Sequence, residues 1–159
     1  MYLLANTLRE NQEEVIRRWL DNLNGIIAED FEQMLKTSMG TNFASGLLSL
    51  TIAFFEAEEY QRTDVLRRVR SAAQETSYRR SAVGFGLPDI ISTGMALRRA
   101  LEETLINHLL AVDSWEENQL LQGILTLNRL GDAFISGEIA GYFAYHDYHD
   151  REIGNSDVV

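Results

Sequence analysis

The chain has 159 residues, of which 45% are hydrophobic, enough for one domain with a buried core. It contains no cysteine, which excludes disulfides, thiolate nucleophiles and cysteine-based zinc or iron–sulfur sites. A formal net charge of −10 argues against nucleic-acid binding, although eight of the fourteen basic residues lie between Arg62 and Arg99. Because acidic residues are interleaved with them, we interpret that stretch as solvated helix faces or a surface for a protein partner.

The composition favours helix almost throughout. There is only one proline, leucine, alanine, glutamate and arginine are abundant, and no alternating apolar run predicts a strand. No apolar run approaches the ~18 residues of a membrane span, and the amino terminus lacks the pattern of a signal peptide. We therefore expect a cytoplasmic, single-domain, all-α protein over residues 1–150, with no membrane contact and a flexible tail at 151–159.

The first half of the chain predicts two long helices and one short segment. The first helix runs from about Leu3 to Asn24 with Trp19 as a core anchor, and Gly25 lies just past its end. A short segment follows at residues 30–38. After a break at 39–42, a helix that is apolar on most sides extends to Phe55, which is typical of a buried helix or one shared with a partner.

The next helix is predicted to begin after a loop at residues 59–62. Thr63 is a good N-cap residue and Asp64 adds negative charge in the first turn, so the helix should continue from there towards Val83. A glycine-rich corner follows, in which Gly84 and Gly86 allow a sharp turn.

Pro88 begins the central helix, which is predicted to reach about Ala111. Apolar residues recur along it at three- and four-residue spacings, at Ile90, Ile91, Met95, Leu97, Leu101, Leu105, Ile106 and Leu109. On the outer face, Arg98 and Arg99 each precede a glutamate by four residues, which predicts two ion pairs. Gly94 is unfavourable in mid-helix by roughly 1 kcal/mol, so it predicts a close helix crossing.

The last helix is predicted from a capping box at Ser114 to about Tyr148. Small residues at a spacing of four form a groove that another helix can approach closely, at Ala133, Gly137 and Gly141. Tyr142, Tyr145 and Tyr148 lie around and beyond it. This groove either packs inside the domain or forms the seam of a homodimer. We favour the dimer, because the helix exceeds its neighbours in length.

The histidines offer two sites that the sequence supports only weakly. His146 and His149 lie three residues apart and could share a divalent metal, but an exposed polar helix end is the simpler interpretation, so we predict no metal site. His108 could be a haem ligand in a helical pocket, but a histidine near a helix C-terminus is favoured for electrostatic reasons alone. We therefore predict no cofactor.

The sequence shows no catalytic pattern. The serines lack the context of an activated nucleophile, and the Gly84-Phe85-Gly86 turn is followed by Leu-Pro rather than by a phosphate-binding loop. We therefore expect that the protein is not an enzyme.

Several segments, in order, resemble the amino-terminal domain of the RsbR/RsbRD family, the RsbT co-antagonists of the bacterial stressosome. They are Glu14–Leu20, Arg79–Phe85, Leu87–Ile91, Leu97–Leu101, and Leu127–Leu130 with Asp132. The second to fourth carry the most specific part, a Gly-Phe corner that enters a helix bearing Leu-Arg-x-Ala-Leu. The likeness extends over about residues 3–148.

This resemblance implies a globin-like bundle of about five or six helices without haem. It also implies a homodimeric sensory module that passes a signal along its last helix to a partner of STAS-domain or kinase type. Proteins of that family continue into a STAS domain that carries the phosphorylated residues. The present sequence ends at Val159, as a stand-alone module or an excised domain, so phosphorylation is not carried over. A helical sensor that binds haem or another apolar ligand is the alternative.

Overall fold

The structure, a computed structural model, describes residues 2–111 and 117–156, apart from the side chains of residues 38, 39, 117 and 152–156. Within these ranges the chain forms seven helices and no strand, which confirms the predicted all-α class. The helices are α1 (Tyr2–Glu10), α2 (Gln12–Leu23), α3 (Glu29–Leu35), α4 (Ser38–Glu56), α5 (Glu59–Ala82), α6 (Leu87–Leu110) and α7 (Glu117–Ser156).

The described helices outnumber the five or six predicted, partly because the predicted first helix is two helices separated at Asn11. The side-chain amide of Asn11 donates a hydrogen bond of 2.8 Å to the carbonyl oxygen of Thr7. The backbone N–H of Asn11 bonds to the same oxygen at 3.2 Å, and the backbone at Asn11 departs from helical geometry, with φ of −116° and ψ of 29°. An asparagine side chain bonded to the backbone favours such a departure.

Two helix starts were predicted too late. α4 begins at Ser38, so the predicted break at 39–42 is wrong. α5 begins at Glu59 rather than beyond Thr63, because Gln61 accepts a hydrogen bond of 3.2 Å from the backbone N–H of Glu58. That reciprocal cap satisfies one of the N–H groups that a helix start leaves unpaired.

The corner before α6 is as predicted. Gly84 has a positive φ of 96°, a conformation that favours glycine, and Gly86 precedes Leu87 and Pro88 in the first turn. The predicted outer-face pairs are confirmed at 2.8 Å for Arg98 with Glu102 and for Arg99 with Glu103.

α6 and α7 organise the core. Trp19 of α2 is fully buried, as predicted, and its indole N–H donates a hydrogen bond of 3.1 Å to the carbonyl oxygen of Thr93 in α6. α7 runs antiparallel to α6 and parallel to α5, and the contact between α5 and α7 is the most extensive between any two helices. α4 covers the same core with Leu48, Phe54 and Phe55.

α7 extends further than predicted, since residues 149–156 continue the helix past Tyr148. The flexibility expected for residues 151–159 stays a prediction. The predicted capping box at Ser114 lies outside the described residues. No single described helix is long and apolar enough to cross a membrane, although Glu29–Leu35 and Gly40–Glu56, a bent pair, meet the length and composition criteria together.

Candidate functional site: a buried ion pair between three helices

The core contains one ion pair that water does not reach in the described part of the chain. The Nη2 atom of Arg80 in α5 donates a hydrogen bond of 2.7 Å to Oε1 of Glu138 in α7, and the two side chains are 3% and 0% exposed. The ring of Phe43 in α4 lies 4.6 Å from the guanidinium carbon, a cation–π distance. Three helices therefore converge on one pair of opposite charges.

This pair is only partly satisfied. Oε2 of Glu138, and Nε and Nη1 of Arg80, have no hydrogen-bond partner among the described residues. Burial raises the pKa of Glu138 to about 7, against the opposing effect of Arg80, and burial also lowers the pKa of Arg80. A guanidinium stays protonated near neutral pH, so Glu138 is the group that titrates.

Glycines bring the helices together around the pair. A Cβ at Gly137 or Gly141 would overlap the carbonyl oxygen of Arg70 or Gln74 in α5, and a Cβ at Gly94 in α6 would overlap Phe134 and lie 2.8 Å from Oε2 of Glu138. The predicted close crossing at Gly94 is confirmed.

The α5–α7 seam, which we define by Gly137 and Gly141 on α7 and Ala73 and Ser77 on α5, also has a polar contact. The hydroxyl of Ser77 donates a hydrogen bond of 2.6 Å to the backbone oxygen of Glu138. This contact and the ion pair fix the register of the two parallel helices, because both involve Glu138 and residues one turn apart on α5.

The sequence left two interpretations of this groove, packing inside the domain or a homodimer seam, and the homodimer itself stays a prediction. Gly137 and Gly141 contact α5 of the same chain. For these two residues the structure therefore shows packing inside the domain. Ala133 and Tyr142 pack against the same core, and Tyr145 makes an edge-to-face contact with Tyr78 of α5. Among the residues assigned to the dimer interface, only Tyr148 is exposed.

An apolar crevice adjoins the ion pair. It lies between α4, α5, α6 and α7, has a volume of about 50 Å³, and includes Leu47, Val69, Gly94 and Phe134 in its walls. Sites for cofactors and drug-sized ligands usually enclose roughly 300–1,000 Å³. This crevice is therefore too small for haem in the present arrangement.

His108 lies elsewhere, between α2 and α6. Its Nε2 atom is 2.9 Å from Oε2 of Glu14, its side chain is 39% exposed, and it does not line the crevice. This contact and a second one from Arg18 lower the pKa of Glu14. The geometry gives His108 a carboxylate partner rather than a position facing an apolar cavity.

His146 and His149 lie on the C-terminal part of α7, next to tyrosines. The ring of His146 lies 4.4 Å from that of Tyr142, and the ring of His149 lies 4.4 Å from that of Tyr145. Within the described ranges, no group of three or more histidine, aspartate or glutamate residues is placed to hold a metal ion.

Sequence reasoning did not identify the ion pair, since its members are 58 positions apart. Arg80 belongs to the basic stretch that is interpreted as solvated helix faces, and Glu138 belongs to no predicted site. A signal was nevertheless present, because Glu138 follows Phe134 by four residues and precedes Gly141 by three, which places a carboxylate on the buried face of the helix. Charged residues are rarely buried unless they are paired, so a glutamate on the buried face predicts a basic partner.

The raised pKa of Glu138 predicts how stability depends on pH. The pKa rises from 4.5 to about 7 on folding, so between these values the folded chain keeps a proton that the unfolded chain releases. The free energy of unfolding should therefore decrease as pH rises through this window, by on the order of 3 kcal/mol, and level off above it. Urea unfolding of the wild type and Glu138→Gln at a series of pH values would measure this, and parallel curves for the two proteins would contradict it.

No protein-family model, no curated protein and no solved structure matches this chain.

Proposed function

We propose that this chain is a non-catalytic sensory or regulatory module that acts as a dimer and passes a signal along α7. The observation that supports this is the continuity of α7, which is one helix of 40 residues. At 1.5 Å per residue it extends over about 60 Å. Glu138 lies near its middle, so a change at the buried ion pair acts on the same helix that carries the exposed side chains near Tyr148.

The resemblance to the RsbR amino-terminal domain supports the same proposal. In that resemblance a globin-like domain delivers its output through its last helix, and α7 is the last helix described in this chain. A partner of STAS-domain or kinase type at the C-terminal end of α7, in the cytoplasm, follows from it as part of the proposal.

For self-association we propose a different face of α7 from the glycine groove. Four large apolar side chains are exposed on this helix: Leu121, Leu125, Ile139 and Phe143. At 100° per residue they lie about 200° to 240° around the helix from Gly137, on the side away from α5. They form two apolar pairs about 21 Å apart along this stripe, with the exposed Asp132 between them. Exposed apolar patches are typical of protein–protein contacts.

Light scattering of the full chain tests this proposal. Phe143 is 52% exposed. Phe143→Asp should convert a wild-type dimer to a monomer, because dimerisation would bury a carboxylate in the proposed interface without a partner. Tyr60→Asp is the matched control, since Tyr60 is an exposed aromatic residue on α5 and should not affect the mass. A monomeric wild type, or a Phe143→Asp variant that stays dimeric, would refute self-association through this stripe.

A further inference from the structure

The Arg80–Glu138 pair lies where α7 has little freedom to move against α5. Gly137 and Gly141, on either side of Glu138, contact the α5 backbone directly, and Gly94 of α6 brings Phe134 and the carboxylate against a third helix. A packed core of this kind does not deform continuously. A change in the charge or hydration of the pair must therefore be accommodated by movement of α7 relative to α5.

We propose that protonation of Glu138 controls the α5–α7 seam, so that the seam is tight when the carboxyl group carries a proton and loosens when the group is ionised. This makes the module responsive to pH near neutrality. The inference rests on the proposed function, because it supplies the signal that α7 would pass on.

The incomplete bonding of the pair gives the direction of the effect. When Glu138 is ionised, two charges are buried with one hydrogen bond of 2.7 Å between them, and three further polar atoms of the pair have no partner in the described structure. Burying charges is costly unless their remaining donors and acceptors are satisfied. Water can satisfy them only if the helices separate. Protonation removes one of the two buried charges and leaves the guanidinium its contact with the ring of Phe43 and a hydrogen-bond acceptor on the neutral carboxyl group.

The size of the effect follows from linkage. With α7 displaced, Glu138 would be solvated and would titrate near 4.5, whereas in the packed arrangement its pKa is about 7. Proton binding therefore favours the packed arrangement. The ratio of tight to loose populations should fall on the order of a hundredfold as pH rises between these two values.

Few ionisable groups lie close enough to Glu138 to cause a pH-dependent change at the α5–α7 seam. Arg80 of α5 is the charged group that acts on Glu138, α4 contributes the ring of Phe43 against that guanidinium, and α6 contributes the backbone at Gly94. On α7 itself the neighbour is Phe134. Two further ionisable side chains lie along α7, Tyr142 one turn beyond Glu138 and His146 against the ring of Tyr142. A transition near neutral pH at this seam is therefore assigned to Glu138 by its loss in Glu138→Gln.

The absence of cysteine allows a direct distance measurement, since two introduced cysteines are the only labelling sites. Ser71 on α5 and Ala144 on α7 are both exposed, and Ser71→Cys with Ala144→Cys changes neither charge nor size greatly. Spin labels at these positions, measured by pulsed electron resonance from about pH 5.5 to about pH 8.5, should show one short distance at acid pH. A longer, broader distribution should grow as pH rises towards neutrality and should change little above the pKa of Glu138.

Glu138→Gln should keep the short distance at both extremes, because glutamine imitates the protonated carboxyl group. Glu75→Gln is the matched control, since Glu75 is an exposed acid on α5 and its loss should leave the wild-type transition unchanged. An unchanged wild-type distance would overturn the proposal even if the glutamine variant did not fold, and so would the same transition in Glu138→Gln. Diluting labelled chains with unlabelled wild type restricts the distance to one chain, so a negative result here is distinguishable from a failure of self-association.

Discussion

Glu138→Leu should destabilise the fold by about 3–5 kcal/mol, the largest single effect expected for a conservative change in volume. The substitution leaves the guanidinium of Arg80, 3% exposed, without a hydrogen-bond acceptor, which glutamine or a protonated carboxyl group would still provide, and a guanidinium cannot relieve this by losing its proton. Arg80→Met should be less harmful at acid pH, because Glu138 can take up a proton and become neutral. Chemical unfolding in urea near neutral pH and near pH 5.5 would measure both effects.

The double variant Arg80→Met with Glu138→Leu should recover most of the lost stability, since apolar residues of similar volume replace a buried pair with little or no net cost. A strong positive coupling between the two positions is therefore expected in the double-mutant cycle. Arg79→Met provides the control. Arg79 is the preceding residue and pairs with Glu75 at 2.5 Å, but both side chains are largely exposed, so its loss should change stability by less than about 1 kcal/mol. If the double variant were as unstable as Glu138→Leu, the stability lost in Glu138→Leu would be due to altered packing rather than to the unpaired charge of Arg80.

Most of the described helices could be predicted from the sequence because their apolar faces repeat with the helical period. The buried Trp19, the Gly84 corner and the Gly94 crossing followed from side-chain size and backbone freedom, which are local properties. The positions at which helices begin and end were less predictable. At Asn11 the side chain bonds to the backbone oxygen of Thr7 beside the helical N–H, and at Glu58 a cap formed although a better-known capping residue, Thr63, lay nearby.

The candidate site was less accessible to sequence reasoning, because it depends on which helices lie side by side. The groove at Gly137 and Gly141 was recognised, but its two possible occupants, α5 or a second chain, impose the same requirement for small residues. Choosing between them requires a matching set of small residues, and α5 has one in Ala73 and Ser77 at a spacing of four. The pairing of Arg80 with Glu138 depends on the same alignment of α5 with α7, so it could not be predicted before that alignment was known.

Gly141→Ala should destabilise the protein by about 1–3 kcal/mol, even though alanine is the better helix former. The added methyl group would overlap the carbonyl oxygen of Gln74 and lie 3.0 Å from Cβ of Ser77. A backbone atom cannot turn aside as a long side chain can, so α5 and α7 must separate and the register of the buried ion pair must change with them. Gly137→Ala meets the carbonyl oxygen of Arg70 in the same way and should behave alike.

Gly46→Ala is the opposite case and serves as the control. Gly46 lies inside α4, and nothing lies within 4 Å of a Cβ at this position. The same substitution should therefore stabilise the protein by about 0.5–1 kcal/mol through the smaller backbone entropy of the unfolded chain. Thermal and urea unfolding of the three single variants would decide the matter. Stability changes of opposite sign at Gly141 and Gly46 would show that α5 and α7 are in van der Waals contact at the seam. A gain in stability at both positions would mean that space remains between α5 and α7, and that their contact does not hold Glu138 in register.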